Sequence, residues 1–444
     1  HYPNINTFLI SHCYISLINQ PTEKEIYIWN ITGSMANALL SVVALMLVTR
    51  MLNKEDTDIF SIAWSISQLM VTIGTFQIRV YQATDVKQTF QFKQYCVFRF
   101  LTVVAMLISS AVYIRMCGYV DYKAQIVMIV CAYRAVDSIA DVYEGWFQQK
   151  ERLDLAGKAL TYRIVFSSIV FGVILVNTHN LLYACWSLVI IYVICFFAFD
   201  VSYQKRVAAL KSSGNLGKNV KWIVALFREG LPLFVNAFII MSIMNTPKMV
   251  IDTAIQDGRI EQGAQTVFNI LFMPASVLSL AYIVFRPLIT QMAIVWGDKK
   301  YREFIKILGR ILLCLFGMAI VLIIGSAILG IPVLSVIYGM NLDKYKSQLL
   351  LIIVGGCCYT FAAVLDNALV VIRKQYLLIV SYIVSWIYIK VVAEPFVNKW
   401  KMFGASMGYT TAMLIFLVVT AMIFVICFYM ETHKERGKKS EKIQ

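Results

Sequence analysis

The sequence predicts an all-α polytopic membrane protein of about twelve transmembrane helices, arranged as two six-helix lobes in a parallel pseudo-repeat. Three observations carry this. Hydrophobic residues make up 59% of the chain and charged residues only 15%, with a mean hydropathy of +0.71, well outside the soluble range. The apolar residues come in runs long enough to cross a bilayer, which takes ~20 residues for ~30 Å of hydrocarbon. Lysine and arginine alternate in density from one connecting loop to the next, as topology demands of a multi-pass protein.

Residues 1–28 form an N-terminal extension whose "FLISHCYISLI" is too short to span. Spans follow near 29–50, 57–79, 95–115, 120–144, 157–177 and 180–202, giving an N-lobe over 29–202. The longest internal polar segment, "YQKRVAALKSSGNLGKNVKW" at 203–222, reads as a cytoplasmic linker. Further spans near 223–250, 263–294, 301–328, 346–372, 376–391 and 404–430 give a C-lobe over 223–430, and 431–444 is a basic cytoplasmic tail. An even number of spans per lobe sends both lobes into the membrane in the same direction. "GSMANALLSVVALMLVTR" from Gly33 faintly echoes "GLPLFVNAFIIMSIMNTPK" from Gly230. Two such bundles with a cleft between them make a transporter's architecture.

The net charge of +15 does not point to nucleic acid, because position explains it. With the N-terminus inside, the inner loops carry Arg79, Lys87 and Lys93, then Lys150, Arg152 and Lys158, and the linker cluster around Lys211, while outer loops carry fewer basic residues. Both termini are therefore expected in the cytoplasm. The ten cysteines are scattered with no CxxC, and the four histidines lie outside the spans. They read as small hydrophobes and loop residues, so no metal, no cofactor and no catalytic group is expected.

The fourth span carries a charged stripe. In "CAYRAVDSIADVYEGWFQQKERLD", Arg134, Asp137, Asp141 and Glu144 follow at intervals of three, four and three residues, which places them on one face of a helix. Arg134 lies about nine residues from the outer end of its span, ~14 Å by helical rise, hence near the midplane. A charge at that depth faces a partner or a lumen. One reading is a structural network in which Arg134 pairs with Asp137 or Asp141 and the next helix supplies Arg163. The other adds Arg79, Arg99, Arg228 and Arg286, at the cytoplasmic ends of their spans, to make a forked-donor surface for phosphate or pyrophosphate. Asp366 in "AAVLDNALVVIR" divides in the same way between a partnered residue and a proton-sensitive site. Lys248 and Asp252 read as anchors near the outer end of the seventh span. Pro232, Pro247, Pro274 and Pro287 fall in the seventh and eighth spans, where each removes a backbone hydrogen bond and permits a bend, making this pair the candidate gating element.

"FQIRVYQATDV" (76–86), "YRAVDSIADVYEGWFQQKERLDLAGKALTYRI" (133–164) and "NTPKMVIDTAI…FNILFMPASVLSLAYIVFRPLIT" (245–290) resemble the Wzx-like polysaccharide flippases of the multidrug/oligosaccharidyl-lipid/polysaccharide exporter superfamily. The likeness runs from about Gly33 onward. It implies alternating access and export of a polyprenyl-diphosphate-linked oligosaccharide across a bacterial inner membrane, with polysaccharide-assembly proteins and the lipid bilayer as partners. It also implies that cavity-lining cations serve the diphosphate. By position Arg79 and Asp85 fall in the second-span motif, Arg134, Asp137 and Asp141 in the fourth-span motif, and Arg286 in the eighth. Lipid II flippases carry two further helices that this chain lacks, which points away from a peptidoglycan precursor.

Two rival functions remain at this stage. A cation-coupled drug or metabolite antiporter of the same superfamily would use Asp366 or Asp137 as its cation site. A membrane glycosyltransferase or polymerase would use the acidic outer stretch "NKEDTD" with a bound metal, but no outer loop exceeds about fifteen residues, against usual loops of ~4–6. The ordinary reading of that stretch is a solvated turn. A major-facilitator carrier would need a glycine- and arginine-rich loop where this chain has "RVYQATDVKQTFQFKQ".

Overall fold

The computed structural model describes residues 21–85, 89–210, 220–282 and 285–441, and among them every regular element is helical. Local chemistry starts the helices. α1 (Glu23–Met51) opens on a capping box: the Thr22 hydroxyl accepts from the Glu25 amide, and the Glu25 carboxylate accepts from the Thr22 amide at 3.1 Å. α2 (Lys54–Thr75) opens on Asn53, whose side chain accepts from the Asp56 amide at 2.8 Å, with Glu55 and Asp56 in its positively polarised first turn. The "NKEDTD" stretch is thus a helix start.

α3 (Ile78–Thr84), α4 (Phe92–Met116), α5 (Asp121–Gln149), α6 (Leu153–Thr178) and α7 (Leu181–Cys195) follow, α7 passing through a π-helical turn, Phe196–Val201, into α8 (Ser202–Leu210). The chain folds into two compact units, one ending at Phe238 and the other beginning at Ile239, so the division lies within α9 (Lys221–Gln256).

In the first unit α5 is the spine, packed against α2, α3, α4, α6 and α7. Lipid is as apolar as leucine, so burial alone gives such helices little reason to associate; close packing and polar ties do. α1 lies on α6 backbone to backbone: a Cβ on Gly157 would stand 2.3 Å from the Trp29 carbonyl oxygen. α4 shows the opposite surface, with Phe100, Val104, Ile108 and Val112 all exposed, the face expected of a helix whose solvent is hydrocarbon.

The second unit contains α10 (Ala264–Phe272), α11 (Val277–Tyr282), α12 (Arg286–Gly297), α13 (Tyr301–Gly325), α14 (Ile331–Tyr338), α15 (Lys346–Val371) and α16 (Leu378–Glu441). α15 packs along α16 and also meets α10 to α13. α16 is two helices in succession, since Lys401 leaves the helical region with φ 52° and ψ −131°.

Eight helices among the described residues are long and apolar enough to cross a membrane, and the pair α2 and α3, bent by 43°, makes a ninth. The other expected spans are helical too, for identifiable reasons. α5 carries the charged stripe and is correspondingly less apolar than the others. The eighth is interrupted by a 3₁₀ turn at Met273–Ser276, which holds Pro274. The last two lie on either side of Lys401. Pro287 stands in the first turn of α12, where a missing amide hydrogen costs nothing. Pro232 and Pro247 lie inside α9, which continues through both.

Candidate functional site

α2 ends in a rare way. Phe76 and Gln77 both take left-handed backbone conformations, φ 44° and 50°, at a cost of about 1–3 kcal/mol each. The break is held from two sides. The freed Gly74 carbonyl accepts from Arg99 Nη1 at 2.8 Å and from the Thr102 hydroxyl at 2.7 Å. The Phe76 ring stacks on Phe234 with centroids 4.6 Å apart and meets Phe227 at 5.2 Å, both from the part of α9 that belongs to this unit.

The break turns α3 onto α5. Gly145 permits this, since a Cβ there would meet Gln82 Oε1 at 2.5 Å and Arg79 Cγ at 3.2 Å. Gln82, fully buried, donates to the Val142 carbonyl at 3.1 Å. Arg79 is thereby delivered to the α5 stripe. Its Nη1 donates to Glu144 Oε2 at 2.7 Å and to Asp141 Oδ1 at 3.2 Å. Nε and Nη2 make no hydrogen bond among the described residues.

Each of those carboxylates has a second, deeper arginine. Arg99 Nη2 lies 2.7 Å from Asp141 Oδ2, and Arg163 Nη2 lies 2.5 Å from Glu144 Oε1. Arg163 also reaches Asp200 Oδ1 at 2.5 Å. Asp200 sits in the π-helical turn, whose wider loop of backbone carries it to Arg163; both side chains are fully buried. Three arginines thus face three carboxylates, and the cluster is charge-balanced. Only Arg79 and Asp141 are accessible to a useful degree, with 30% and 21% of their side chains exposed.

Arg134 forms a separate pair with Asp137 at 3.3 Å. Its guanidinium lies 4.8 Å from the Trp64 ring and 5.2 Å from the Tyr133 ring, and the Tyr192 hydroxyl donates to Asp137 at 2.8 Å. Cation–π contact and pairing together account for a charge at this depth.

Asp85 stands apart from the arginines. Its carboxylate accepts from the Thr89 and Phe90 amides at 2.9 and 3.1 Å and from the Tyr95 hydroxyl at 3.2 Å, while Gln149 donates to its carbonyl at 2.7 Å. Burial pushes this carboxyl up, but the hydrogen bonds outweigh it and hold the group below its ordinary value. In the second unit Asp366 accepts from the Tyr382 hydroxyl at 3.1 Å. Lys248 and Asp252, read as anchors near the outer end of their span, are both buried, with Lys248 Nζ 4.3 Å from the Phe272 ring. The side chain of Arg286 lies outside the described residues. Asp200, Trp64 and Tyr192 are the site residues that sequence reasoning did not name, and Glu144 was placed on the stripe without a partner. Asp200 carried a usable signal, a lone carboxylate in the apolar run "FFAFDV".

A cavity of about 300 Å³ opens at the α2–α3 break, lined by Thr75, Gln77, Arg79, Thr84, Asp141 and Gln148 among others. Its wall mixes these polar side chains with Val80 and Ala83, and it reaches the accessible edge of the network at Arg79 and Asp141.

No family model matches the sequence. The chain is 21% identical over 390 residues to the capsular polysaccharide biosynthesis protein CapF of Staphylococcus aureus, which covers 87% of this chain and 95% of that one. An inward-facing multidrug resistance MATE family transporter of the MOP superfamily superposes with a TM-score of 0.69 at 10% identity, covering 90% of this chain and 98% of that one. The chain has the MOP-superfamily fold. The lipid II flippase MurJ, in an inward closed conformation, gives a TM-score of 0.66 at 12% identity over 90% of this chain and 89% of its own. The MOP fold makes this a multi-pass membrane protein, and the solved structures it resembles are transporters and flippases rather than enzymes.

Proposed function

We propose that the protein moves a polyprenyl-diphosphate-linked oligosaccharide from the inner to the outer leaflet of the bacterial inner membrane, by alternating access, for cell-surface polysaccharide biosynthesis. Both termini face the cytoplasm in this reading, so the Arg79 pocket loads from the cytoplasmic side. The observation that carries it is the state of Arg79. Both of its carboxylate contacts use Nη1, and Asp141 and Glu144 each keep a deeper arginine. Arg79 is therefore the accessible arginine of the cluster, and its turning to a diphosphate leaves neither carboxylate uncompensated. Its Nε and Nη2 offer the planar fork that phosphate oxygens accept. Arg99 and Arg163 hold the frame. The likeness to a capsular polysaccharide protein over nearly its whole length supports the choice of cargo.

Cells lacking the protein are expected to lose surface polysaccharide and to accumulate the lipid-linked oligosaccharide on the inner leaflet. Wild-type protein restores export and Arg79→Ala does not. Unchanged surface polysaccharide in the deficient cells counts against the reading. A second reading, a cation-coupled drug or metabolite antiporter, is favoured by one observation, the Asp366 carboxylate held by Tyr382 alone among the described hydrogen bonds.

A further inference from the structure

α13 has two unlike faces. Phe304, Leu308, Ile311, Leu315 and Ala319 are its buried line, at three- and four-residue intervals that turn one side of the helix to the rest of its unit. The opposite side changes chemistry part-way along. Arg302, Lys306 and Arg310 follow at intervals of four over the first turns, all three exposed. None of them makes an ion pair or side-chain hydrogen bond among the described residues, whereas nearby Lys300 is paired with Asp298 at 3.3 Å. Glu303 is the one acidic residue of α13, which leaves 301–310 with a net charge of +2. Beyond Arg310 the same side carries Leu313, Gly317, Ile320 and Ile324, uncharged and exposed.

Depth in the bilayer follows from length. The uncharged stretch from Ile311 to Tyr338 rises ~42 Å, more than the ~30 Å of a hydrocarbon core. Arg310 therefore stands at the polar boundary of the bilayer and not inside it. Cations at that boundary, followed on one face by bare apolar surface, match in order the anionic headgroup and acyl chain of a phospholipid. Gly309 and Gly317 keep this face shallow, since a Cβ on either would meet nothing within 4 Å.

We propose that this face of α13 binds an anionic phospholipid of the phosphatidylglycerol kind, with its phosphate on Arg302, Lys306 and Arg310 and one acyl chain along Leu313, Gly317 and Ile320. In the orientation proposed above, the lipid comes from the inner leaflet. The site is independent of the flippase reading and of the Arg79 pocket. A guanidinium gives a phosphodiester two parallel hydrogen bonds, and a headgroup with no cation of its own gains the full attraction of the stripe. A zwitterionic headgroup brings an ammonium to the same three cations and gains less.

The test is native mass spectrometry of delipidated full-length protein, titrated with dioleoyl phosphatidylglycerol or dioleoyl phosphatidylcholine. The expected result is a preference for phosphatidylglycerol of about tenfold or more, largely lost in the Arg302→Gln, Lys306→Gln, Arg310→Gln triple variant at an unchanged melting temperature. A control triple, Lys93→Gln, Lys205→Gln and Lys221→Gln, removes as much charge from exposed lysines elsewhere and should keep the preference. Equal binding of the two lipids by the wild type, or equal loss in both triples, overturns the site in favour of a diffuse attraction between a basic protein and acidic lipid. A second arm uses the wild type alone: phosphatidylglycerol with a diazirine midway along one acyl chain, in phosphatidylcholine nanodiscs. It should label α13 between Ile311 and Ile324 more than the bare face of α4, and unlabelled phosphatidylglycerol should displace it. Labelling that does not favour α13, or that phosphatidylcholine displaces equally, overturns the site whether or not the triple variant folds.

Discussion

Glu144 joins a fully buried arginine to an accessible one: its Oε1 lies 2.5 Å from Arg163 Nη2 and its Oε2 lies 2.7 Å from Arg79 Nη1. The two arginines consequently have different roles, and substitution separates them. Arg163→Ala strands Asp200 and half of Glu144 in a sealed interior, which is expected to cost about 3–5 kcal/mol. Thermal unfolding in detergent and membrane abundance should both fall sharply. Arg163→Lys should restore little, because a point charge cannot reach two carboxylates at once.

Arg79→Ala is expected to do the reverse. Asp141 and Glu144 keep Arg99 and Arg163, so the loss in stability should stay within about 1 kcal/mol, as for other accessible pairs. Export should fall about tenfold or more, the scale of a lost charge-assisted contact. Abundance measured by quantitative blotting, alongside export, checks this. A drop in abundance matching that of Arg163→Ala would return Arg79 to a structural role.

For Arg134 the 3.3 Å contact with Asp137 predicts a measurable coupling. Arg134→Ala should lower the melting temperature, and Asp137→Ala on the same chain should partly restore it. The coupling expected of neighbours in contact is about 0.5–3 kcal/mol from a double-mutant cycle. Additive losses would mean that the pair contributes nothing and that Arg134 is held by Trp64 and Tyr133.

How far the sequence was legible depends on range. Periodicity and run length located the helices, and the three-four-three spacing of Arg134, Asp137, Asp141 and Glu144 put one charged face on α5, because those are local properties of a helix. The Arg134–Asp137 pair was one of the two that spacing offered, but the partners from other helices were not legible. Arg163 does reach the stripe from the next helix, but its partners are Glu144 and Asp200, a choice that depends on how α6 rotates and on a π-helical turn after α7 that no spacing announces. The burial of Lys248 and Asp252 was not legible for the same reason: depth along α9 could be counted, but burial depends on which helix covers it. The break at Phe76 and Gln77 had no signal at all, as neither residue favours a left-handed backbone.

Asp85 allows a test by pH outside the membrane-spanning helices. Its carboxyl is held below its ordinary value in the folded state. A depressed group contributes stability that is present above its unfolded value, ~3.9, and is lost as pH falls through the folded value. At neutral pH the contacts of Asp85 with Thr89, Phe90 and Tyr95 are therefore at full strength, and Asp85→Asn should lower the melting temperature there. The difference between wild type and variant should shrink as pH drops below about 4. A difference that persists undiminished at pH 3 would show that the charge on Asp85 is not what strengthens these contacts.

The central claim is that the cargo is an anionic, lipid-linked sugar. A diphosphate carries about two negative charges outward, and each is worth ~2.3 kcal/mol per 100 mV of membrane potential. The most direct measurement is translocation of a fluorescent polyprenyl-diphosphate oligosaccharide by the purified protein in sealed vesicles, at set potentials. The account predicts translocation that accelerates as the donor side is made more negative and that is lost with Arg79→Ala. Failure to move the lipid, together with proton- or sodium-dependent exchange of hydrophobic cations in the same vesicles, would contradict it and assign the protein to the antiporters.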